Sequence, residues 1–444
     1  MRDSIRLKSA LLGLFLLANL AVIGWFWWSG SGAYVTSLDP GKLLIAFGRI
    51  SGLLLVLFVL CQLMLIGRIA WIEHVFGLDK LSRLHHWIGF ALLTLLLAHP
   101  TLLSLGYGMR TGSGFFQQFL DFQSWENVLL ATSAFGLFVF VILISVVIVL
   151  RKMKYESWYY IHLAVYLAIL LAFSHQLSVG RDLMDPVFAG YWYALYAFVL
   201  LNFAYFRFLK PSLAFAKHGF TVDAIENETP DVISIFIRGR DLRGFRFKAG
   251  QFLIVRFLAK GFWPQAHPFS LSNAPGSERL RLSIKKSGDY TSSLGRLKPG
   301  TKAMLDGPHG VFIAERSCHE KFLFVAGGIG VTPIMSLIAS LAPLGKDITL
   351  LYACRDSATA AFKTELDDLA AKYSMRVHYI MSNDPAWRGE KGFVDQDKIT
   401  RLVPDVLERD TYLCGPTPMM AAVRQTLESC GVPRSCIHFE KFSL

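Results

Sequence analysis

Four histidines inside apolar runs are the residues whose types and spacing point most directly to chemistry. His85 and His99 are 14 residues apart in one run, and His162 and His175 are 13 apart in another. At about 1.5 Å of rise per residue, each pair spans roughly 20 Å of helix, so each run places one imidazole near either end. Two layers with one histidine from each helix suit bis-imidazole ligation of two stacked haems. Histidines at the same depth in the membrane form a pair, so His85 pairs with His162 in the inner layer and His99 with His175 in the outer layer.

The helical phase of these histidines supports the assignment only in part. Fourteen residues advance a helix to within about 40° of whole turns, so His85 and His99 share a face. The 13-residue spacing leaves the later pair out of phase, so we expect a distortion in that helix or haems held from different azimuths. His86 is an alternative inner ligand, although it would lose the face shared with His99. A single intramembrane histidine usually bonds to a neighbouring helix, but four in two matched layers favour metal ligation.

Arg49 lies at the outer end of another apolar run, within residues 48–52. It could be an interfacial arginine whose aliphatic stem lies along the hydrocarbon. It could instead neutralise propionates of the outer haem or attract an anionic product. The sequence leaves both interpretations open.

The segment His267-Pro268-Phe269-Ser270 follows a predicted strand and can bind a planar ring system. Phe269 can lie flat on such a ring, and Ser270 can offer a hydroxyl to a ring nitrogen. Pro268 holds the backbone extended, so both side chains point the same way. We therefore predict one end of a flavin site here.

The other end of the flavin is predicted 18 residues further on, where Lys285 and Lys286 begin a polar segment. Gly288 allows close backbone approach, and Thr291 could start a helix whose free N–H groups face a pyrophosphate. Together the two segments predict bound FAD.

A glycine-rich turn, with Gly327, Gly328 and Gly330, follows the apolar strand 322–325. Thr332 is a suitable N-cap and a proline follows it, so we expect a helix N-terminus at the carboxyl edge of this strand. A dinucleotide phosphate binds at such a place.

Two further residues are predicted to end strands at the same edge. Arg355 could meet the 2′-phosphate of NADPH, with NADH as the alternative cofactor. Cys414 could serve the nicotinamide, or it could be a small apolar residue packed in the core.

The composition shows which elements must position these residues. The chain has 444 residues, of which 53% are hydrophobic and 18% charged, with a mean hydropathy of +0.42. These values exclude an ordinary soluble protein and a disordered one. Residues 1–212 hold roughly 24 charged side chains and residues 213–444 roughly 54, so the first half is predicted to lie in a membrane. The net charge of +12 is spread over both halves, so we expect no nucleic-acid partner.

Six apolar runs in the first half are each long enough to cross a bilayer core of about 30 Å. They lie near residues 10–28, 43–66, 86–104, 127–150, 158–174 and 187–209. Basic residues gather on one side of these runs: Arg2, Arg6, Lys8, Arg68, Lys80, Arg83, Arg151, Lys152, Lys154, Arg207 and Lys210. This bias predicts a plasma or inner membrane protein with both termini and the second half in the cytoplasm. A cleaved signal peptide is the alternative for residues 1–30, but no obvious cleavage site follows its apolar core.

The second half is predicted to form two domains. Short strands near 220–225, 232–238, 252–257, 280–285 and 302–305 indicate an antiparallel β-barrel, and segment 321–444 alternates strands with helices as in a doubly wound sheet. The predicted domains are therefore 1–212, 213–317 and 318–444. The six cysteines have no CxxC spacing, which argues against a zinc site or a disulfide framework and for a reducing compartment.

Five motifs resemble those of ferredoxin-NADP reductase type dehydrogenases: HPFSLSNAP, GDYTSSL, AGGIGVTP, YACRD and CGPTPMM. With the six runs and their histidines, nearly the whole chain resembles the NADPH oxidase and ferric reductase superfamily, and its prokaryotic oxidases most. The resemblance implies a six-helix transmembrane bundle followed by a ferredoxin-NADP reductase type module, with FAD, NADPH or NADH, and two b-type haems.

The resemblance also implies residue roles. The flavin ring is contacted by Phe269 and Ser270, its phosphates by Lys285, Lys286, Gly288 and Thr291, and the nicotinamide cofactor by Gly328, Gly330, Thr332, Arg355 and Cys414. Arg49 is similar to an arginine that family members place near the outer haem. Two positions depart from the family, because Phe442 must cover the flavin with two residues beyond it, and Leu103 replaces a histidine of animal oxidases. Calcium-binding loops are absent from the sequence, so we expect a single-chain enzyme without calcium gating, and we infer no obligatory regulatory subunit.

These parts predict an enzyme that moves electrons across the membrane. A nicotinamide gives two electrons as hydride and a haem accepts one, so a flavin is needed between them. Since neither haem needs an open axial position, the acceptor would react at the haem edge, which suits superoxide formation from oxygen. Reduction of ferric chelates or of another extracytoplasmic acceptor is the alternative. A transporter would need intramembrane carboxylates or arginine ladders, and the runs carry histidines instead.

Overall fold

The computed structural model describes residues 2–150, 153, 155–373 and 375–440. Four residues that enter the predictions lie outside this range: Arg151, Lys152, Lys154 and Phe442. The chain divides into two compact units, which are described separately. The helical unit comprises Arg6–Ile69 and Leu81–Ala204. The sheet unit comprises Ala70–Lys80, Tyr205–Leu444 and the N-terminal residues up to Ile5.

Helices dominate the described chain up to residue 218. They are α1 (Arg2–Thr36), α2 (Pro40–Ile66), α3 (Ala70–Phe76), α4 (Leu78–Thr111), α5 (Phe115–Phe122), α6 (Val128–Leu150), α7 (Tyr155–His162), α8 (Ala164–Val179), α9 (Pro186–Ala204) and α10 (Lys210–His218). Within the described residues, six helical stretches are long and apolar enough to span a membrane, which confirms the predicted number.

Helix α2 shows how the sequence sets a helix start and a buried face. Asp39 caps the helix by accepting a hydrogen bond from the backbone N–H of Lys42 (3.0 Å), and Pro40 occupies the first helical position. Leu57 and Leu60 of α2 are buried in one apolar cluster with Trp192 of α9. Packing of apolar side chains between helices therefore orders the centre of this unit.

The fifth apolar run contains the distortion that the histidine spacing predicts. Helix α7 ends at His162 and α8 begins at Ala164. Between them, the backbone N–H of Tyr166 donates to the carbonyl of Leu163 (3.1 Å), an i to i+3 bond that tightens the turn. The irregularity lies directly after His162, so it changes the phase between this histidine and His175.

The first part of the sheet unit is antiparallel. Its strands are β1 (Thr221–Thr229), β2 (Val232–Arg238), β3 (Phe252–Phe257), β4 (His267–Ser270), β5 (Leu280–Lys285) and β6 (Ala303–His309), with the short helix α11 (Asp289–Ser293). They form two three-stranded sheets, of order β1-β2-β5 and β4-β3-β6, around one apolar core. One detail of the prediction is wrong, because His267–Ser270 is itself a strand that pairs with β3 and does not simply follow one.

The second part of the sheet unit is a parallel sheet with helices between its strands. The strands are β7 (Lys321–Gly327), β8 (Asp347–Cys354), β9 (Arg376–Met381), β10 (Glu390–Lys391), β11 (Arg409–Cys414) and β12 (Ile437–Glu440). The helices are α12 (Val331–Leu341), α13 (Lys363–Tyr373), α14 (Gln396–Leu402) and α15 (Thr417–Ser429). The strand order β10-β9-β8-β7-β11-β12 reverses direction at β7, so the carboxyl ends of β7, β8 and β11 border the crevice where nucleotides bind.

Candidate functional site

The two predicted histidine pairs are adjacent in the helical unit. The ring centres of His85 and His162 are 6.2 Å apart, and those of His99 and His175 are 6.5 Å apart. With a metal–nitrogen bond of about 2.0 Å and a ring radius of roughly 1.2 Å, two imidazoles on opposite sides of one metal ion have centres roughly 6.4 Å apart. Both separations therefore fit an iron ion between the two rings.

The ring nitrogens also fit metal ligation. Nδ1 of His99 lies 2.7 Å from the carbonyl oxygen of Gly48, so it carries the proton and leaves Nε2 with a free lone pair. Nδ1 of His162 lies 3.2 Å from the hydroxyl of Ser145. Nδ1 of His85 and Nδ1 of His175 are buried without a hydrogen-bond partner among the described residues. Buried polar atoms are rarely left in this state, so these two ring nitrogens are compatible with a further bound group.

Gly52 on α2 leaves room for one of these rings. A Cβ atom at this position would lie 2.5 Å from Cε1 of His99. Any larger residue would therefore displace the imidazole from its present position. The glycine at this position is explained by the close approach of the two helices.

The structure distinguishes between the two alternative inner ligands. The side chain of His86 is exposed, and its ring packs edge-on against Phe90 with 5.2 Å between ring centres. His85 is instead half-buried and faces His162. The geometry favours His85.

A cavity of about 270 Å³ lies beside the outer pair and is lined by His99, His175, Arg49 and Asp182, among others. Arg49 forms an ion pair with Asp182, in which its Nε is 3.2 Å from Oδ2. It also donates to the carbonyl of Gly30 (3.1 Å). Arg49 is therefore neither a lone interfacial cation nor an uncompensated positive charge.

A cavity of about 210 Å³ in the sheet unit brings together both predicted ends of the flavin site. Six predicted residues line it: Pro268, Phe269, Ser270, Lys285, Thr291 and Thr332. The hydroxyl oxygen of Ser270 is buried there without a hydrogen-bond partner among the described residues. An unpaired buried hydroxyl at this position fits the expected hydrogen bond to a ring nitrogen.

Three predicted flavin residues do not line this cavity: His267, Lys286 and Gly288. The ring of His267 stacks on Tyr290 with 4.0 Å between centres, and its Nε2 is 2.9 Å from the side-chain oxygen of Gln265. The ammonium of Lys286 donates to the carbonyl of Pro230 (3.2 Å). His267 therefore supports the wall of the barrel, and Lys286 ties β5 to the turn between β1 and β2.

Thr291 and Thr332 were each predicted to start a helix, but they lie two or three residues after the observed N-cap residues. Gly288 is the N-cap of α11, and the hydroxyl oxygen of Thr291 accepts hydrogen bonds from the backbone N–H groups of Ser287 (3.0 Å) and Gly288 (3.1 Å). Thr332 is the second residue of α12, and its hydroxyl donates to the carbonyl of Ile329 (3.0 Å). Both side chains stabilise a helix start, but neither is the cap residue.

The structure explains the glycines of the turn after β7 by two separate requirements. A Cβ atom on Gly327 would lie 2.8 Å from the ring of Pro416, and one on Gly330 would lie 2.7 Å from the backbone nitrogen of Gly415. These two glycines let the turns after β7 and β11 pack together. Gly328 has a φ of +51° and open space beside it, so it alone of the three combines a left-handed backbone with access to a ligand.

Cys414 ends β11 beside the end of β7, as predicted. Its side chain is fully buried, and its Sγ lies 3.7 Å from the backbone carbonyl of Glu440. Burial raises the pKa of Cys414 well above its usual value, and the nearby Glu440 raises it further. The side chain is therefore a neutral thiol, which agrees with the alternative that it is a small packed residue.

Arg355 follows β8 at the same edge. It is 69% exposed, and its Nε donates to Asp356 (2.9 Å). The guanidinium can therefore be reached by a ligand, but it already has a carboxylate partner.

The sequence analysis did not identify three carboxyl groups near the cavity of about 210 Å³, which is called the flavin cavity below. Asp79 and Glu440 line the cavity, and Glu73 of α3 accepts a hydrogen bond from the backbone N–H of Gly310 (2.8 Å). Oε2 of Glu440 is buried without a hydrogen-bond partner among the described residues. Burial raises the pKa of Glu440 well above its usual value, and the charges of Asp79 and Glu73 raise it further. The only sequence signal was the presence of two acidic residues in an otherwise basic loop.

Three protein families match successive parts of this chain. Residues 51–173 match the ferric reductase like transmembrane component, residues 238–311 an FAD-binding domain, and residues 324–425 an oxidoreductase NAD-binding domain. The chain has the domain architecture of the NADPH oxidase and ferric reductase superfamily. It therefore combines a ferric-reductase-like membrane domain with the FAD- and NAD(P)H-binding domains of an oxidoreductase.

Individual relatives match about half of the chain. The ferredoxin reductase component of 3-ketosteroid-9-alpha-monooxygenase from Rhodococcus rhodochrous is 32% identical over 50% of this chain and 64% of its own length. The glycine betaine monooxygenase reductase subunit of Pseudomonas aeruginosa is 30% identical over 45% of this chain and 57% of its own length. Among solved structures, the FAD/NAD-binding domain of nitric oxide dioxygenase from Vibrio cholerae is 25% identical, covering 50% of this chain and 96% of that one, with a TM-score of 0.45. The chain thus spans about 60% of the length of these curated relatives.

Proposed function

We propose that this superfamily member is a transmembrane NADPH oxidase that delivers electrons from cytoplasmic NADPH, through FAD and two b-type haems, to oxygen and produces superoxide. The observation that carries the proposal is the pair of histidine layers. His85 faces His162 and His99 faces His175 at separations that fit an intervening iron. Two haems at different depths would connect the two sides of a membrane.

The residues of the sheet unit would hold and orient the flavin. Phe269 and Ser270 line the cavity beside Lys285, which also pairs with Asp231 (3.3 Å). When bound here, FAD would supply the chemistry that links a two-electron hydride donor to one-electron acceptors. Gly328, with its open surroundings, is the position of the β7 turn where a nucleotide phosphate can approach the backbone.

The outer cavity supports a small neutral acceptor. Its lining is mostly apolar, and of its two arginines Arg49 is compensated by Asp182, while Arg181 donates to the hydroxyl of Tyr34 (3.3 Å). An anionic ferric chelate would find no free charge at Arg49. Oxygen needs neither charge nor an open coordination position, so it fits this lining better.

The proposed membrane orientation rests on the basic residues of the sequence. Arg68 follows α2, Arg83 lies near the start of α4, and Arg207 follows α9. The positive-inside rule places these ends, and with them the sheet unit, in the cytoplasm.

The test is electron transfer by the purified full-length protein with FAD and NADPH. We expect a reduced-haem spectrum with two haems per chain, and reduction of cytochrome c that superoxide dismutase suppresses. Turnover that occurs only with an added ferric chelate would instead establish the metal reductase. Absence of haem would overturn the proposal.

The nucleotide preference can be tested at Arg355. Arg355→Ala is expected to raise the KM for NADPH about tenfold and to leave that for NADH nearly unchanged, because only NADPH has a 2′-phosphate to pair with the guanidinium. Steady-state kinetics with both nucleotides measure this. Arg434→Ala is the matched control, since Arg434 is also an exposed arginine in an ion pair (3.0 Å to Glu428). Equal KM changes for the two nucleotides would contradict a role of Arg355 in phosphate recognition.

A further inference from the structure

Two cysteines that are far apart in the sequence meet at the edge of the parallel sheet opposite the nucleotide turns. Cys318 precedes β7, and Cys436 directly precedes β12. Their sulfur atoms and one carboxylate oxygen of Asp410, on β11, all lie within 4.8 Å of one another. The cluster therefore joins the beginnings of three neighbouring strands, on the far side of the sheet from Cys414 and the glycine-rich turn.

A histidine lies at the same place. Nε2 of His319 is 3.5 Å from Sγ of Cys436. His319 is not among the residues whose ligand atoms lie within 4.8 Å of one another, so its imidazole is a hydrogen-bond partner of Cys436 beside the cluster.

The surrounding hydrogen bonds hold the cluster in place. Asp410 is fully buried, and its Oδ2 accepts hydrogen bonds from the backbone N–H groups of Cys318 (2.7 Å) and His319 (2.6 Å). Its Oδ1 is 2.7 Å from Nε2 of His438. Burial raises the pKa of Asp410, but the hydrogen bonds from His438 and from these backbone groups outweigh it, so the pKa is lowered. Two thiols beside a buried carboxylate form a donor set that zinc accepts, because thiolates favour soft divalent metals.

We propose that Cys318, Cys436 and Asp410 bind a zinc ion. Both cysteines would bind as thiolates and Asp410 through its carboxylate, with a water molecule in the fourth tetrahedral position. The ion would fix the starts of β7, β11 and β12, and the other end of β12 carries Glu440 at the flavin cavity. Its role would be structural, and it is independent of the proposed oxidase activity.

The experiment measures zinc in the full-length protein, purified without a histidine tag and kept reduced. We expect one zinc ion per chain by elemental analysis, and sulfur neighbours at about 2.3 Å in the zinc X-ray absorption spectrum. Zinc should also protect Cys318 and Cys436 from alkylation, whereas magnesium should not. Cys430, which lies outside the cluster, is the internal control for alkylation in the same molecules.

Two variants make the test decisive. Cys318→Ser changes an exposed residue and should lower the zinc affinity by about 100-fold or more while the flavin stays bound, and His319→Gln should lower it less. Cys430→Ser should leave the zinc content unchanged. Zinc that is retained in Cys318→Ser, zinc with only oxygen and nitrogen neighbours, or wild-type protein that binds none would overturn the proposal. A Cys318–Cys436 disulfide in zinc-free purified protein would overturn it in favour of a redox-active pair.

Discussion

Replacement of His99 by alanine is expected to lower the haem content of the purified protein from two per chain to one. The physical reason is that His99 and His175 are the two rings of one layer, 6.5 Å apart, and a single imidazole cannot hold a haem by two axial bonds. Reduction of the outer acceptor should fall to background, whereas reduction of FAD by NADPH should continue. The pyridine haemochrome assay and stopped-flow flavin absorbance measure the two quantities.

The matched control for this prediction is His86→Ala. His86 is exposed and faces Phe90, so its loss should leave both haems in place. His85→Ala, one residue earlier, should remove the haem of the other layer. An unchanged haem count in His99→Ala, or loss of a haem in His86→Ala, would show that the ligand assignment is wrong.

Glu440→Gln is expected to stabilise the sheet unit at neutral and alkaline pH. Because the pKa of Glu440 is raised in the folded state, its folded form keeps a proton that the unfolded chain releases above a pH of about 4.3. The contribution of this carboxyl is therefore complete below that pH and is lost as the pH rises towards the folded-state pKa, at a rate of up to about 1.4 kcal/mol per pH unit. Glutamine removes this proton linkage and keeps the shape of the side chain.

The measurement is the thermal midpoint of flavin release at several values between pH 5 and pH 8. The advantage of Glu440→Gln over the wild type should grow as the pH rises above about 4.3, the value at which an unfolded glutamate ionises. Glu278→Gln changes an exposed glutamate of the barrel and should give no such trend. A constant difference between Glu440→Gln and the wild type would indicate that the carboxyl is ionised in the folded protein.

The sequence was most informative where one periodic rule decides the position of a residue. The rise of a helix is fixed, so residue spacing alone paired His85 with His162, and the geometry agrees. The strands 232–238, 252–257 and 280–285 were predicted with the bounds that the structure has, because β-branched and aromatic residues end there at turn residues. The distortion near Leu163 followed from the phase mismatch of the histidines.

The sequence was least informative where residues meet only through tertiary folding. Glu73 and Gly310 are 237 residues apart, and His319 and Cys436 are 117 apart, so no local pattern could connect them. The absence of CxxC spacing argued against a zinc site, yet the sheet brings Cys318 and Cys436 together. The helix starts were misjudged at Thr291 and Thr332 because glycines hold the cap positions that side-chain preferences assign to threonine.

The assignment of Ala70–Lys80 to the sheet unit has a consequence for biosynthesis. Ribosomes add about 5 to 20 residues per second, so Glu73 would wait roughly 12 to 50 seconds before Gly310 is made. The early membrane helices can insert during this interval, while α3 has no completed barrel to bind. The contact of Glu73 with the sheet unit therefore forms only after about 70% of the chain has been translated.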